Sequence, residues 1–187
     1  MFLSKPIKII KDEDFEFKNS FVRVLFNKEC SEIELAGLSI GPFKEGGEYE
    51  VVFWIALELE KAGIAQLLEE ELDEVTLYKI QWKERVQSVN RFSSLPKNFY
   101  PKLRHYIENL KKESLVRTEK MREYEKIIGL SQDIINCRLK KIVSLSSSSP
   151  IQANQILKNL TKEEHVVYIH LFDVISEWRS QILEGVD

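Results

Sequence analysis

From Met121 to Ile142 the chain places Met121, Tyr124, Ile128, Ile135, Leu139 and Ile142 at steps of three, four or seven residues. That spacing keeps one face of a 3.6-residue helix apolar over several turns, so the segment predicts a long amphipathic helix that must bury its stripe against other elements. Helical periodicity recurs on both sides of it. Leu103, Tyr106, Ile107 and Leu110 form one stripe from Asn98 onward, with Pro101 tolerated in the first turn and a break near Glu113 and Ser114. Asp73 is placed to cap a helix running toward Gln87, because its carboxylate can accept a bond from a free backbone amide. Thr161-Lys162-Glu163-Glu164 is a capping box that opens a last helix, with Val167, Leu171, Val174, Trp178 and Ile182 on its apolar face. A loop over Asn90 to Asn98, broken by Ser93, Ser94 and Pro96, and a Ser-rich connector over Ser144 to Pro150 punctuate these helices.

The first fifty residues read differently. Glycines cluster there, and Phe15 to Phe17, Phe21 to Phe26 and Ile33 to Ile40 carry the alternating or β-branched character of short strands. In Phe21 to Phe26, Val22, Val24 and Phe26 point to one side of a sheet. A core of this size is too small to be comfortable alone, so the β module is expected to dock on the helical part or on a partner. Gly41-Pro42 and Gly46-Gly47 mark the transition, and a densely apolar helix follows from Val51 to Ala62, closed by Gly63. The resulting expectation is a mainly α protein: a small β-rich domain over residues 1–50, then an α-helical bundle domain over 51–187.

Composition excludes several classes. A hydrophobic share of 43% with 30% charged residues is that of a globular chain. The longest apolar run, Val51 to Leu57, is far short of the roughly 20 residues that span a bilayer, so no membrane association is expected. The N-terminus lacks the apolar core of a signal peptide, which points to a cytoplasmic protein. Heavy use of Lys, Glu and Ile with few Cys and Met leans toward a thermophile.

Chemistry-bearing motifs are weak. The stretch Gly41 to Gly47 lacks the spacing and the Lys-Ser/Thr pair of a Walker loop. His105, His165 and His170 have no metal-binding spacing, and Cys30 and Cys137 are far apart, so neither metal nor cofactor is expected. The carboxylates at Glu69, Glu70, Glu71, Asp73 and Glu74 sit at a helix start, where negative charge is favourable. No Ser, Cys or Lys occupies a recognisable nucleophile setting. Net charge is −3, yet residues 96–145 hold 12 Lys and Arg against 6 Asp and Glu. Lys111, Lys112, Arg117, Lys120 and Arg122 form either a phosphate-binding face or, with Glu113, Glu119, Glu123 and Glu125 interleaved, a solvated helix surface.

One constellation is recognisable beyond composition: Gly41-Pro42-Phe43, Gly47, the segment Val51 to Ala56 with Trp54, then Leu57 and Leu59, and later Leu95-Pro96 before Phe99-Tyr100. This resembles the archaeal GINS subunit class related to eukaryotic Psf two and Psf three. The resemblance implies a non-catalytic scaffold in DNA replication that forms a heterotetramer, with two copies each of two related chains. That assembly joins the MCM helicase and a RecJ-like partner, meets DNA indirectly if at all, and lies near the nucleoid, with ATP hydrolysis left to MCM. Under this reading Trp54 and its neighbours belong to the core. Ile128, Ile135, Leu139 and Ile142 on the long helix, with Leu171 and Trp178 on the last one, serve either the core or a subunit interface. The alternative is a helical nucleic-acid-binding adaptor using residues 111–122.

Overall fold

The computed structural model describes residues 4–35, 37–68, 72–89, 91–148 and 156–184. It divides into two compact units, Asp14–Glu71 and a second made of Met1–Glu13 with Leu72–Asp187. The division falls elsewhere than the expected break at residue 50. The physical reason is strand pairing: residues after 50 supply a strand and a helix without which the smaller unit's core is open.

In the smaller unit, strand β1 (Phe21–Phe26) is central, with β4 (Glu48–Val52) and β5 (Ala65–Leu67) antiparallel on its two sides. Val22, Val24 and Phe26 are buried on one face of β1, and Val22 lies opposite Val51. Strands β2 (Ile33–Leu35) and β3 (Leu38–Ile40) form a separate hairpin. Val51 and Val52 are therefore the end of a strand, and helix α2 starts only at Phe53 and runs to Lys61. Gly63 stops it with φ +65, a backbone setting that side-chain-bearing residues rarely adopt.

The Gly41, Pro42, Phe43 and Gly47 cluster builds an aromatic corner. Phe43 stacks on Phe26 at 4.0 Å between ring centroids, and Tyr49 meets both rings edge-on, at 5.0 Å from Phe43 and 5.5 Å from Phe26. A Cβ on Gly47 would stand 2.6 Å from the Tyr49 ring, so only glycine lets Tyr49 lie where its hydroxyl accepts a bond from the Lys44 amide. Ile55, Ala56 and Leu59 of α2 close the same core, and Trp54 packs against it half-buried.

Phe15 to Phe17, expected as a strand, lies in helix α1 (Ser4–Lys18). Three residues are too few to separate a period of 2 from one of 3.6, and over a longer window Glu13 and Phe17 share the buried side at helical spacing.

The helical unit contains α3 (Glu74–Val86), α4 (Phe99–Ser114), α5 (Thr118–Ser146) and α6 (Lys162–Glu184). The long helix α5 packs against α3, α4 and α6. Asp73 caps α3 as expected, its Oδ1 accepting from the Thr76 amide at 2.8 Å. The capping box of α6 is also formed: the Thr161 amide donates to Glu164 Oε2 at 3.0 Å and the Glu164 amide to Thr161 Oγ1 at 3.3 Å. The Ser-rich connector begins later than expected, since α5 continues to Ser146; Ser147 and Ser148 follow it, and residues 149–150 lie outside the described residues, as do Glu69 to Glu71.

The buried stripe of α5 is not the one expected. Ile127, Leu130, Ile134, Arg138, Lys141 and Leu145 face inward at steps of three and four. The apolar series Ile128, Ile135, Leu139 runs one residue, or about 100° of helix, to the side. Ile135 is 41% and Leu139 43% exposed, whereas Ile142 is buried.

Candidate functional site

Two features of the helical unit are candidates for function: a buried charge cluster at its centre and the apolar surface beside it. The cluster separates two apolar cores. On one side lie Leu77, Phe99, Leu103, Ile127 and Ile134; on the other, Phe92, Ile142, Leu145 and Tyr168. Between them Arg138 is 1% exposed and Glu84 of α3 equally so.

Arg138 spends all five of its N–H groups. Nε and Nη2 grip the two oxygens of Glu164, Nη2 at 2.7 Å, and Nη2 also reaches the Asn159 carbonyl at 3.0 Å. Nη1 donates to Glu84 Oε1 at 2.7 Å and to the Ser93 carbonyl at 3.1 Å. Lys141 Nζ donates to the other Glu84 oxygen at 2.6 Å, Ser93 donates its amide and hydroxyl to Glu84 Oε1, and the Tyr100 hydroxyl donates to Glu164 Oε1 at 2.6 Å. The Phe92 ring lies 5.1 Å from the Arg138 guanidinium carbon.

Two cations and two carboxylates thus cancel in an interior where an unpaired charge would cost several kcal/mol. Burial alone would raise the Glu84 pKa, but its bonds to Lys141 and Ser93 and the charge of Arg138 outweigh that and hold it below the ordinary carboxylate value. Burial and the neighbouring Glu164 carboxylate push the Tyr100 hydroxyl well above its usual value. Burial works against the Arg138 charge, and Glu164 more than compensates. The cluster ties α3, α4, α5 and α6 and the segment before α4 to one register. Every donor and acceptor named is consumed internally, which suits a structural pin.

Sequence reasoning missed this set. Arg138 and Lys141 were counted with the surface cations of residues 96–145, and Glu164 only as a cap. The usable signal was positional: Arg138 and Lys141 fall on the same helical face as Ile127 and Ile134. The basic segment itself is laced with partners. Lys112 pairs with Glu108 at 2.8 Å, and Lys120 with Glu123 at 2.6 Å and Glu113 at 3.8 Å.

The apolar surface has two parts. Ile135, Leu139 and Ile142 line a groove of about 270 Å³ with Ile10, Tyr100 and Val167, its rim carrying Arg104 and Glu163. Along the last turns of α6, Val174, Trp178 and Ile182 stand 56%, 61% and 64% exposed at four-residue steps. Leu171 is partly buried against the core, and Ile128 is partly buried on α5. The structure therefore brings Ile135, Leu139 and Ile142 together and leaves Trp178 on a separate ridge. Leu95 and Tyr100 of the motif pack against the helical core, and Pro96 is exposed. Among the described residues no group of three or more His, Cys, Asp or Glu is placed to hold a metal ion, and no helix is long and apolar enough to cross a membrane.

A helical unit pinned by an internal charge cluster, with a small β unit in the same chain, has relatives among known proteins. The family model described as Sld5, GINS complex protein helical bundle domain, matches residues 71–183. This range coincides with the helical unit from Leu72 onward. The chain is also 26% identical to the human DNA replication complex GINS protein PSF2 over 155 residues, covering 81% of this chain and 79% of that protein. The chain therefore belongs to the GINS family, as a subunit of the Psf2-like class.

Proposed function

We propose that this chain is a non-catalytic scaffold subunit of the GINS complex in DNA replication. It joins a related GINS subunit in an assembly with two copies of each chain, and that assembly associates with the MCM helicase and a RecJ-like protein to form and activate the replicative helicase. Its working place is the cytoplasm, at the nucleoid. The contribution is a binding free energy that favours the active state of the helicase ring over its alternatives.

The observation that carries this reading, beside family membership, is the exposed ridge of Val174, Trp178 and Ile182. A chain whose central charges are paired internally and whose last helix carries a large apolar ridge has surface suited to subunit contact. The groove of Ile135, Leu139 and Ile142 is assigned to the same role.

Light scattering after size exclusion tests the reading, first on the chain alone and then on the chain co-expressed with a related subunit. A stable assembly of four chains, two of each kind, is the expected result. A monodisperse monomer that ignores the related subunit defeats the proposal. In that case DNA binding across a salt series would test the adaptor reading through residues 111–122, since phosphate contacts weaken steeply with salt.

A further inference from the structure

Helix α3 carries a second apolar stripe on the face turned away from the bundle. Val75, Tyr78, Trp82 and Val86 are 56%, 58%, 61% and 64% exposed, and Val89 continues the line beyond the helix end at 54%. At 100° per residue the first four fall within about 80° of arc. Leu77, Ile80 and Glu84, the buried residues of α3, occupy the opposite side. Five large apolar side chains along four turns expose on the order of 500 Å², at the upper end of what a lone soluble surface carries without a function.

The charges along one edge of the stripe are of one sign. Lys79 and Lys83 run along one edge, in the next 60° or so of arc. The carboxylates of α3 are committed elsewhere: Glu74 to Lys126, and Glu84 to the buried cluster. On the other edge Arg85 and Gln81 both bind Asp133 of α5. The exposed face is therefore apolar, with a cationic border along one edge and internally paired charges along the other.

We propose that this face of α3 docks an acidic amphipathic helix from another protein, its apolar residues seated along Val75, Tyr78, Trp82 and Val86 and its carboxylates against Lys79 and Lys83. Steps of three and four residues form ridges into which a second helix locks. The area is that of a single docked helix, well below the roughly 800 Å² per partner of a standard interface. Single-stranded nucleic acid is the weaker fit, because three of the five stripe residues are valines, which offer no ring for a base to stack on. The surface is distinct from the α6 ridge and the groove on α5, so its occupancy can be read separately from the subunit contacts proposed above.

The test uses the full chain, alone and in its assembly, with three fluorescent probes. One is a synthetic 18-residue helix with leucines at three- and four-residue steps flanked by glutamates, the second is the same helix with lysines for the glutamates, and the third is a 20-nucleotide oligo-dT. The glutamate helix is expected to bind at least tenfold more tightly than the lysine helix. Trp82→Ala should lower its affinity at least tenfold, and the double change Lys79→Glu with Lys83→Glu should invert the preference. Circular dichroism reports whether Trp82→Ala keeps its helix content; if it does not, the double lysine change alone carries the test. Equal affinity for the two helices, displacement by oligo-dT, or loss of glutamate-helix binding once the related subunit is added would each overturn the proposal. Assembly is read separately by light scattering, so either reading can fail while the other stands.

Discussion

In the smaller unit Phe26 and Phe43 stack within the core and the partly buried Tyr49 closes on both rings, whereas at the centre of the helical unit Arg138 lies between Glu84 and Glu164. Both arrangements fix one geometry, but they respond differently to change. An aromatic corner tolerates a partner of similar size and shape, because dispersion and burial are non-directional. A charge cluster tolerates no missing member, because whatever remains is a charge without a partner in a poorly polarisable interior. The helical unit has placed its specificity where a single substitution is costly.

The largest effect expected follows from that difference. Arg138→Met removes a cation held by two carboxylates and leaves Glu164 and Glu84 facing each other, at a cost of about 3–5 kcal/mol. Chemical denaturation should show the loss, and hydrogen exchange should show lowered protection in α5. Adding Glu164→Gln to Arg138→Met should recover part of it, since Glu84 keeps Lys141 as its partner and the stranded carboxylate is then gone. If Arg138→Met alone costs less than about 1 kcal/mol, the cluster is not what holds the helices in register.

The matching test in the smaller unit is gentler. Gly47→Ala drives a methyl group to 2.6 Å from the Tyr49 ring, so Tyr49 must swing away from Phe43. Overpacking of this kind costs about 1–3 kcal/mol. Tyr49→Leu should relieve most of the clash, and a double-mutant cycle measures the coupling. Additive costs would show that Tyr49 is not the group that demands glycine.

The same contrast explains what could be read from the chain before its structure. Capping at Asp73 and Thr161 was legible because a cap is a local event, decided by three or four neighbouring residues. The strand Phe21–Phe26 was legible because its alternation fills the window. The α5 face was misread because an apolar count assigns buried positions to the apolar residues. Here the inward stripe spends Arg138 and Lys141 on partners 20 to 60 residues away in sequence. The division of the chain was misplaced for a similar reason: β5 is three residues long, and its pairing with β1 across 40 residues leaves no local mark. The exposed side of α3 leaves no local mark, because Trp82, Leu77 and Ile80 are all large and apolar and only their contacts show that Leu77 and Ile80 face inward.

Acid and alkali act on the charge cluster from opposite directions. Glu84 has a folded pKa below its unfolded value, so its contribution is present above the ordinary carboxylate range and is lost as pH falls through the folded pKa. Tyr100 has a raised folded pKa, so its contribution is present below about pH 10 and is lost as pH rises through the folded value. Stability measured from pH 3 to 11 should therefore decline on both sides of a neutral plateau. Glu84→Gln should flatten the acid side, and Tyr100→Phe the alkaline side. An acid limb unchanged by Glu84→Gln would assign the acid sensitivity to other carboxylates.

A substitution on the α6 ridge should have the smallest effect on the folded chain. Trp178 is 61% exposed, so Trp178→Ser removes little that the isolated chain has buried, and its stability should change by no more than about 0.5 kcal/mol. Assembly is where the change should register, because a large aromatic at an interface centre commonly carries 2 kcal/mol or more of binding, a loss of roughly 30-fold or greater in affinity. The pair of measurements separates the two meanings of an apolar residue on a helix. Arg138 is polar and internal, Trp178 is apolar and external, and in each the chemistry of the side chain points away from its position. A Trp178→Ser chain that is as stable as the parent but no longer forms an assembly with a related subunit would assign the ridge to a partner. One that loses several kcal/mol on its own would instead assign Trp178 to this chain's core, and the search for the subunit contact would move to the groove of Ile135, Leu139 and Ile142.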